Sequence, residues 1–214
     1  CRKDKEKVYE AIRTGKVDAA EMSFPNLIDD IILIMKKHGL TDLLAQTLSD
    51  KRRDNSHIPF AILLCLAVAA KLKGKTSLTD VPFAVTEAEL LAELGWNIWD
   101  HERDINEGLF SESVMRKLLA KYTSEEWVSF YNDYVQKHLM KKLDIKPCVH
   151  ILDCTKILVN PDNNNYENAS VVKIGGETMR GYKLGVLRGI LDDAGVAEEI
   201  VFGTLKTHDL EQCR

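Results

Sequence analysis

Cysteine, proline and aromatic residues are sparse in this 214-residue chain, which has five cysteines, five prolines and 7% Phe, Trp and Tyr. The cysteines are Cys1, Cys65, Cys148, Cys154 and Cys213. None forms a CxxC pair, and Cys65 lies inside the apolar run from Ile62 to Ala70. An odd number with one core-like member argues against a disulfide scaffold and for a reducing, cytoplasmic setting. Cys148 and Cys154 share one apolar segment without a matching Cys/His pair, so they read as buried thiols rather than metal ligands. Long hydrophobic runs are lacking too. The longest, Ile58 to Leu72, is broken by Pro59 and ends among lysines, too short to span a bilayer. Nor is there an excess of positive charge. The formal net charge of -4 argues against a uniformly basic nucleic-acid coat, but it allows an enzyme whose basic groups gather on one face. From Pro147 onward there are 7 Lys and Arg against 10 Asp and Glu, an acidic balance compatible with a metal-using site.

What is present suffices for a core: 45% hydrophobic and 29% charged residues, in a length that suits one large domain or two smaller ones. Through about Leu143 the apolar period is helical. Ser23 and Pro25 open a helix carrying Leu27, Ile28, Ile31, Ile32 and Met35, with Lys36, Lys37 and His38 in its last turn and Gly39 closing it. Thr41 is expected to cap a short helix, and the polar run Ser49–Ser56 to form a loop. Phe60 to Leu72 is apolar nearly all round, which places it at the centre of a bundle. Further helices are expected after Ser77, Thr86, Ser111 and Ser124, the last with Trp127, Phe130, Tyr131, Tyr134 and Leu139 along one face. No repeat or low-complexity segment is present.

At Pro147 the period changes. Cys148 to Val159 is a β-rich run ending at Asn160-Pro161-Asp162, Gly181 to Leu191 is a second strand, and Glu198 to Leu205 a third. Asp192-Asp193-Ala194-Gly195 has hairpin-turn chemistry. Thr207 or Asp209 can cap a helix. Beginning at Cys1 rather than Met, and ending at Arg214 in a starting helix, the chain reads as a fragment. The predicted class is α+β, with an all-helical part over 1–146 followed by three strands over 147–214.

Asp153 stands in the middle of the apolar β segment. A carboxylate there is costly to desolvate unless it is paired, exposed on a strand face, or bound to a metal. A strand-fixed carboxylate can hold Mg²⁺, and two such ions stabilise the attacking and leaving oxygens of an in-line phosphodiester displacement. One carboxylate does not make such a site.

The run "HILDCTKI" resembles the first-aspartate strand of DDE-type insertion-sequence DNA transposases, in which the Asp lies mid-strand and Thr or Ser comes two residues later. The segments "NNNYENASVVKIGG", "RGYKLGVLRGI" and "GTLKTHDLE" are similar to the region downstream of that strand in the family, and "KGKTSLTDVPFAVTEAELLAELG" and "GLFSESVMRKLLAKY" resemble the family's helical part. The similarity covers most of the chain and is looser over the first fifty residues. It implies a helical DNA-binding domain joined to the start of an RNase H-like catalytic sheet. It also implies Mg²⁺ or Mn²⁺ at Asp153 in the complete enzyme, DNA as substrate, and a homo-oligomer in the active complex. The reaction would be phosphodiester hydrolysis at an element end followed by strand transfer. The remaining carboxylates of the family, a second Asp and a late Glu, have no counterpart here. Asp192 and Asp193 suit a turn, and Asp209 and Glu211 a helix N-terminus. The fragment alone is expected not to cut DNA.

Lys51, Arg52 and Arg53, with Arg116 and Lys117, are the candidate DNA contacts, and Lys71, Lys73 and Lys75 form a further cluster. Acidic neighbours such as Asp50, Asp54 and Glu112 allow each cluster to be a solvated face instead. His150, on the strand face opposite Asp153, is expected to be packed. Trp96, Trp99 and Trp127 are expected in core or rim positions rather than as base-stacking platforms. Two other readings remain: a non-catalytic helical module that binds DNA or protein, and an unrelated RNase H-like hydrolase. On the first reading Asp153 should lie on the central strand of a three-stranded antiparallel sheet, with its side chain toward an open edge.

Overall fold

In the computed structural model, residues 5–16, 27–54, 56–85, 87–96, 109–163, 165–191 and 194–207 are described. The chain forms two compact units, Cys1–Lys121 and Tyr122–Arg214. The division falls earlier than the expected boundary at 146/147, because the helix after Thr123 packs on the sheet that comes after it.

The first unit is helical. Its described helices are α1 (Lys5–Arg13), α2 (Leu27–Lys37), α3 (Leu40–Thr47), α4 (Phe60–Leu72), α5 (Ala88–Glu93) and α6 (Glu112–Leu119), with a 3₁₀ helix over Leu78–Phe83. Helix α4 matches its predicted bounds and carries the core: Ile62, Leu63, Cys65, Leu66, Ala69 and Ala70 are buried. Each such leucine or isoleucine removed from water contributes about 1.5–3 kcal/mol, so this one helix outweighs any cap in the unit. On it pack α2, α3 and the 3₁₀ helix, which bury Ile32, Leu44 and Val81, and α6, with Met115 and Leu118 buried, packs on the 3₁₀ helix.

Local signals are mostly obeyed. Ser77 accepts the Thr79 N–H and Ser111 accepts the Ser113 N–H, each at the head of its helix. Gly39 adopts φ 65°, closing α2 and opening α3 with one left-handed residue. Thr41 therefore lies inside α3 and is buried instead of capping it. Ser23, Pro25 and Thr86 lie outside the described residues.

The second unit is α+β. Helix α7 (Ser124–Asn132) begins with a reciprocal cap: Thr123 accepts the Glu126 N–H while the Glu126 carboxylate accepts the Thr123 N–H. The cap is thus Thr123, one residue before the expected Ser124. The helix continues as a π-helical stretch over Asp133–Met140, for which the sequence carries no signal.

The sheet has four antiparallel strands, β1 (Val149–Val159), β2 (Ser170–Ile174), β3 (Glu177–Leu191) and β4 (Ala194–Thr204). Long β3 is the central strand. One side pairs with β1 throughout, from Val149↔Ile190 to Val159↔Arg180. The other side is shared end to end by β2, opposite 177–181, and β4, opposite 182–191. Ser170 closes the join by accepting the Leu205 N–H. The expected three strands are thus four, with β2 the addition. Its sequence signal is the Gly175-Gly176 pair, whose φ values of 61° and 89° make the two-residue turn between β2 and β3. Asp192 and Asp193 are not among the described residues, and β4 resumes at Ala194.

Two features set the sheet's outer edges. On the β4 side, the Asn132 amide of α7 accepts the Ile200 N–H (2.8 Å) and donates to the Ile200 carbonyl (3.0 Å), replacing a neighbouring strand. Tyr131 adds a hydroxyl donor to the Ala197 carbonyl, and burial pushes its own phenol pKa up. On the β1 side, among the described residues, β3 is the one strand that pairs with β1.

Gly181 tests the close approach of β1 and β3. A Cβ there would fall well inside van der Waals contact with the Ile157 carbonyl, a backbone group that cannot turn aside. We expect Gly181→Ala to cost about 1–3 kcal/mol in urea unfolding followed by circular dichroism. A neutral result would show that the two strands are spaced more widely than described.

Candidate functional site

Antiparallel pairing sets the position of Asp153. It is the fifth of eleven residues of β1, opposite Val186 of β3, and its side chain is exposed. Val186 in turn faces Ile200, whose N–H and C=O are turned outward to Asn132. Since successive residues of a ladder point their backbone groups to alternate sides, Val186 directs its own toward Asp153. Cys154, the next residue, then directs its backbone groups away from the sheet. In keeping with this, the Asp153 carboxylate folds back and accepts the Cys154 N–H at 2.8 Å. The carboxylate therefore stands at the outer margin of the sheet. Among the described residues β1 pairs with β3 alone and β3 is the central strand, so Asp153 does not stand on the central strand as expected.

Alternation puts Val149, Ile151, Asp153, Thr155, Ile157 and Val159 on one face of β1, and His150, Leu152, Cys154, Lys156 and Leu158 on the other. His150 is on the face opposite Asp153, as expected, but it is half exposed rather than packed. Its Nε2 lies 3.1 Å from the Glu198 carboxylate. Glu198 is the extra residue of a β-bulge, since Leu187 pairs with Glu199 and Arg188 with Ala197. Its side chain reaches toward β1 over Gly189, where a Cβ would collide with its carboxylate. Glu198 also lines an open cleft of about 360 Å³ together with Gln136, Met140, Lys141, Ile145 and Lys146. Asp153 does not line that cleft.

No group of three His, Cys, Asp or Glu side chains with metal-holding geometry occurs among the described residues. Asp153 offers one carboxylate, with one oxygen already accepting a backbone N–H. Among the described residues that is a single ligand. Asp209 and Glu211 lie outside the described residues.

The basic candidates divide by environment. The Arg52 guanidinium is fully engaged: it donates to both Asp50 carboxylate oxygens (2.8–3.1 Å) and to the Ile58 carbonyl (2.7 Å), and lies 5.4 Å from the Phe60 ring centroid. Its role is to pin the 50–58 loop. The hydrogen bond from Arg52 holds the Asp50 carboxyl below its ordinary value of 3.8. A depressed carboxyl pKa means that this contact stabilises the loop above that value and is lost as pH falls through the folded pKa. Arg53, Arg116 and Lys117 are exposed, Arg116 with a 3.4 Å contact to Glu112. Lys51 donates to the Lys121 carbonyl at 3.3 Å, which brings the loop against the end of α6. The two clusters chosen from sequence therefore adjoin, and Lys121 joins them, a residue that no local pattern in the sequence singled out. Lys73 of the third cluster turns inward, toward the buried Asp29 (3.7 Å) and the Ala84 carbonyl.

Trp96 is buried and stacks on Phe110, and Trp127 sits between Tyr122 and Phe130, consistent with core and rim roles. Trp99 lies outside the described residues. The cysteine reading needs correction. Cys65 is buried, and burial pushes its thiol up to about 12, whereas Cys148 is exposed and Cys154 half-buried. The β1 segment looks like a core strand from its composition, but its faces are largely open to solvent. No helix among the described residues is long and apolar enough to cross a membrane.

Compared with known protein families, with curated proteins and with solved structures, the chain matches none of them.

Two outcomes check this geometry. In native protein at pH 8, Cys148 should alkylate readily and Cys65 only on unfolding, as resolved by peptide mapping; equal rates would contradict the burial of α4. Asp153→Asn should leave the unfolding midpoint within experimental error of the parent, because an exposed residue that only accepts a neighbouring N–H has little structural role. A large loss of stability would mark Asp153 as a structural residue.

Proposed function

We propose that this chain is part of a DNA transposase of the DDE type, with Asp153 as one ligand of a divalent-metal site and the helical unit as a DNA-binding part. The observation that carries this reading is an exposed aspartate in the middle of a mostly apolar strand, with no ion pair among the described residues. Thr155 comes two residues later, as in the family that "HILDCTKI" resembles. The neighbouring order β1–β3–β4, antiparallel and with a tight connection between the last two, supports an RNase H-like reading of the sheet. The basic groups Lys51, Arg53, Arg116, Lys117 and Lys121 support a phosphate-facing role for the loop after α3 and for α6.

On this reading Mg²⁺ or Mn²⁺ would supply charge stabilisation at the scissile phosphate in the complete site. Asp153 would hold one ion, and the other carboxylates would come from outside the described residues. The complete enzyme would hydrolyse a phosphodiester at the element end and transfer the freed 3′-hydroxyl to target DNA, acting as a homo-oligomer in the cytoplasm. The 214-residue chain itself is expected to bind without cutting.

Metal contact at Asp153 is tested by paramagnetic broadening. Millimolar Mn²⁺ should broaden backbone resonances around Asp153 first, and Asp153→Asn should abolish that broadening. Broadening unchanged in the variant would remove Asp153 from the metal site.

A second reading, a non-catalytic DNA-binding module, is favoured by the single carboxylate at Asp153. It predicts DNA binding without local Mn²⁺ broadening. Both readings expect the chain to retard a random duplex at low salt, with affinity falling linearly in log salt. Arg53→Ala and Lys117→Ala should each lower the slope by about one. Arg52→Ala should act on loop stability instead. Failure to bind at low salt would sink the DNA reading of the helical unit, and Mg²⁺-dependent cleavage by this chain would overturn the expectation that it does not cut.

A further inference from the structure

We infer that the open cleft beside Glu198 binds a small organic cation, a single protonated amine on an apolar stem, whose ammonium group pairs with the Glu198 carboxylate. The inference concerns the face of the sheet opposite Asp153 and is independent of the proposed function.

Three unusual local features meet at this carboxylate. Glu198 is the extra residue of the bulge between β3 and β4, and bulges commonly re-aim a side chain beside a site. Gly189 interrupts the central strand, and any Cβ there would collide with Glu198 Oε1, so the glycine is what admits the carboxylate. The π-helical stretch over Asp133–Met140 supplies Gln136 and Met140 to the cleft, in a geometry that is rare in helices and frequent at functional sites. Together they hold a glutamate that is 9% exposed. Its Oε1 is buried and accepts no hydrogen bond among the described residues. His150 Nε2 stands 3.1 Å from that oxygen but is not aligned to donate to it. A carboxylate so placed is poorly compensated, and a ligand that brings it a positive charge and N–H donors relieves that deficit. Since Oε1 is enclosed, the ligand meets the carboxylate at Oε2.

The remaining walls select the rest of the ligand. At about 360 Å³ the cleft is at the lower end of small-molecule sites. Met140 and Ile145 give it an apolar lining for a stem. Asp144, with φ 50°, ends the helix and lets the Ile145 N–H reach the Met140 carbonyl at 2.8 Å, which fixes this wall. Two exposed lysines also line the cleft. Lys146 is paired with Asp144 at 2.6 Å, whereas Lys141 has no ion pair among the described residues. Lys141 therefore repels a second positive charge and favours an anion at the far end of the stem. An ω-amino acid fits this arrangement better than a diamine or polyamine. Every residue invoked belongs to the second unit.

The test is a titration of the 214-residue chain with four ligands of one stem length, followed by amide chemical shifts. 6-Aminohexanoate should give saturable shifts at Gln136, Ile145 and Glu198, with a dissociation constant on the order of millimolar for its roughly nine heavy atoms. Hexylamine should bind more weakly, 1,6-diaminohexane more weakly still, and hexanoate not at all. Glu198→Gln keeps the shape, removes the charge, and should weaken 6-aminohexanoate about tenfold. Lys141→Ala should bring the three amines to similar affinity. Should Glu198→Gln unfold, the order of the four ligands on the parent chain decides the matter. No saturable shift at those residues overturns the inference, as does hexanoate binding as tightly as the amines, or a folded Glu198→Gln with unchanged affinity. A diamine that binds as tightly as 6-aminohexanoate overturns the single-cation assignment.

Discussion

The amide of Asn132 is the interaction on which the sheet unit depends. By accepting from and donating to Ile200, it substitutes for a strand and lets α7 close the β4 edge. Each such hydrogen bond adds only about 0.5–1.5 kcal/mol net, but leaving both backbone groups covered and unpaired would cost more than that. The same contact fixes phase: with Ile200 facing outward, Val186 must face β1, and Asp153 and Cys154 take their orientations in turn. The registers of β1, β3 and β4, with which that contact agrees, set where the aspartate on the far strand presents its carboxylate.

Glycines permit the crossings that this arrangement needs. Gly181 lets β1 lie close on β3, and Gly189 leaves room for the bulge residue Glu198 to reach His150. Both sit on the central strand, where Gly weakens a strand and therefore needs a packing reason. The consequence for function is a sheet with two unlike faces: the His150–Glu198 pair on one, and Asp153 with its apolar neighbours on the other.

Much of the helical unit is legible in the sequence because its signals are local. Phe60–Leu72, the Gly39 stop, and the caps at Ser77 and Ser111 arise from periodicity and side-chain chemistry. The sequence misleads where a tertiary contact decides. Composition makes β1 look like a buried central strand with buried thiols, yet strand composition does not reveal how many neighbours a strand has. Helix α7 looks like part of the bundle because its aromatic stripe suits any apolar face, and the sheet happens to provide one. β2 is short, and its Gly-Gly turn is the one local sign of it. At the candidate site, Asp153 stands out as a charge in an apolar run. Arg52 attracts notice for its charge, although its geometry assigns it to Asp50 and Phe60. Lys121 needs the fold to bring it beside Lys51.

The unequal edges of the sheet are therefore the central structural claim, and residue-resolved amide exchange in dilute protein measures them directly. The account predicts a slowly exchanging Ile200 amide, fast exchange at His150, Leu152, Lys156 and Leu158, and loss of Ile200 protection in Asn132→Ala. Uniform protection along β1 at a dilution where the chain is monomeric, or an Ile200 amide indifferent to Asn132→Ala, would contradict it.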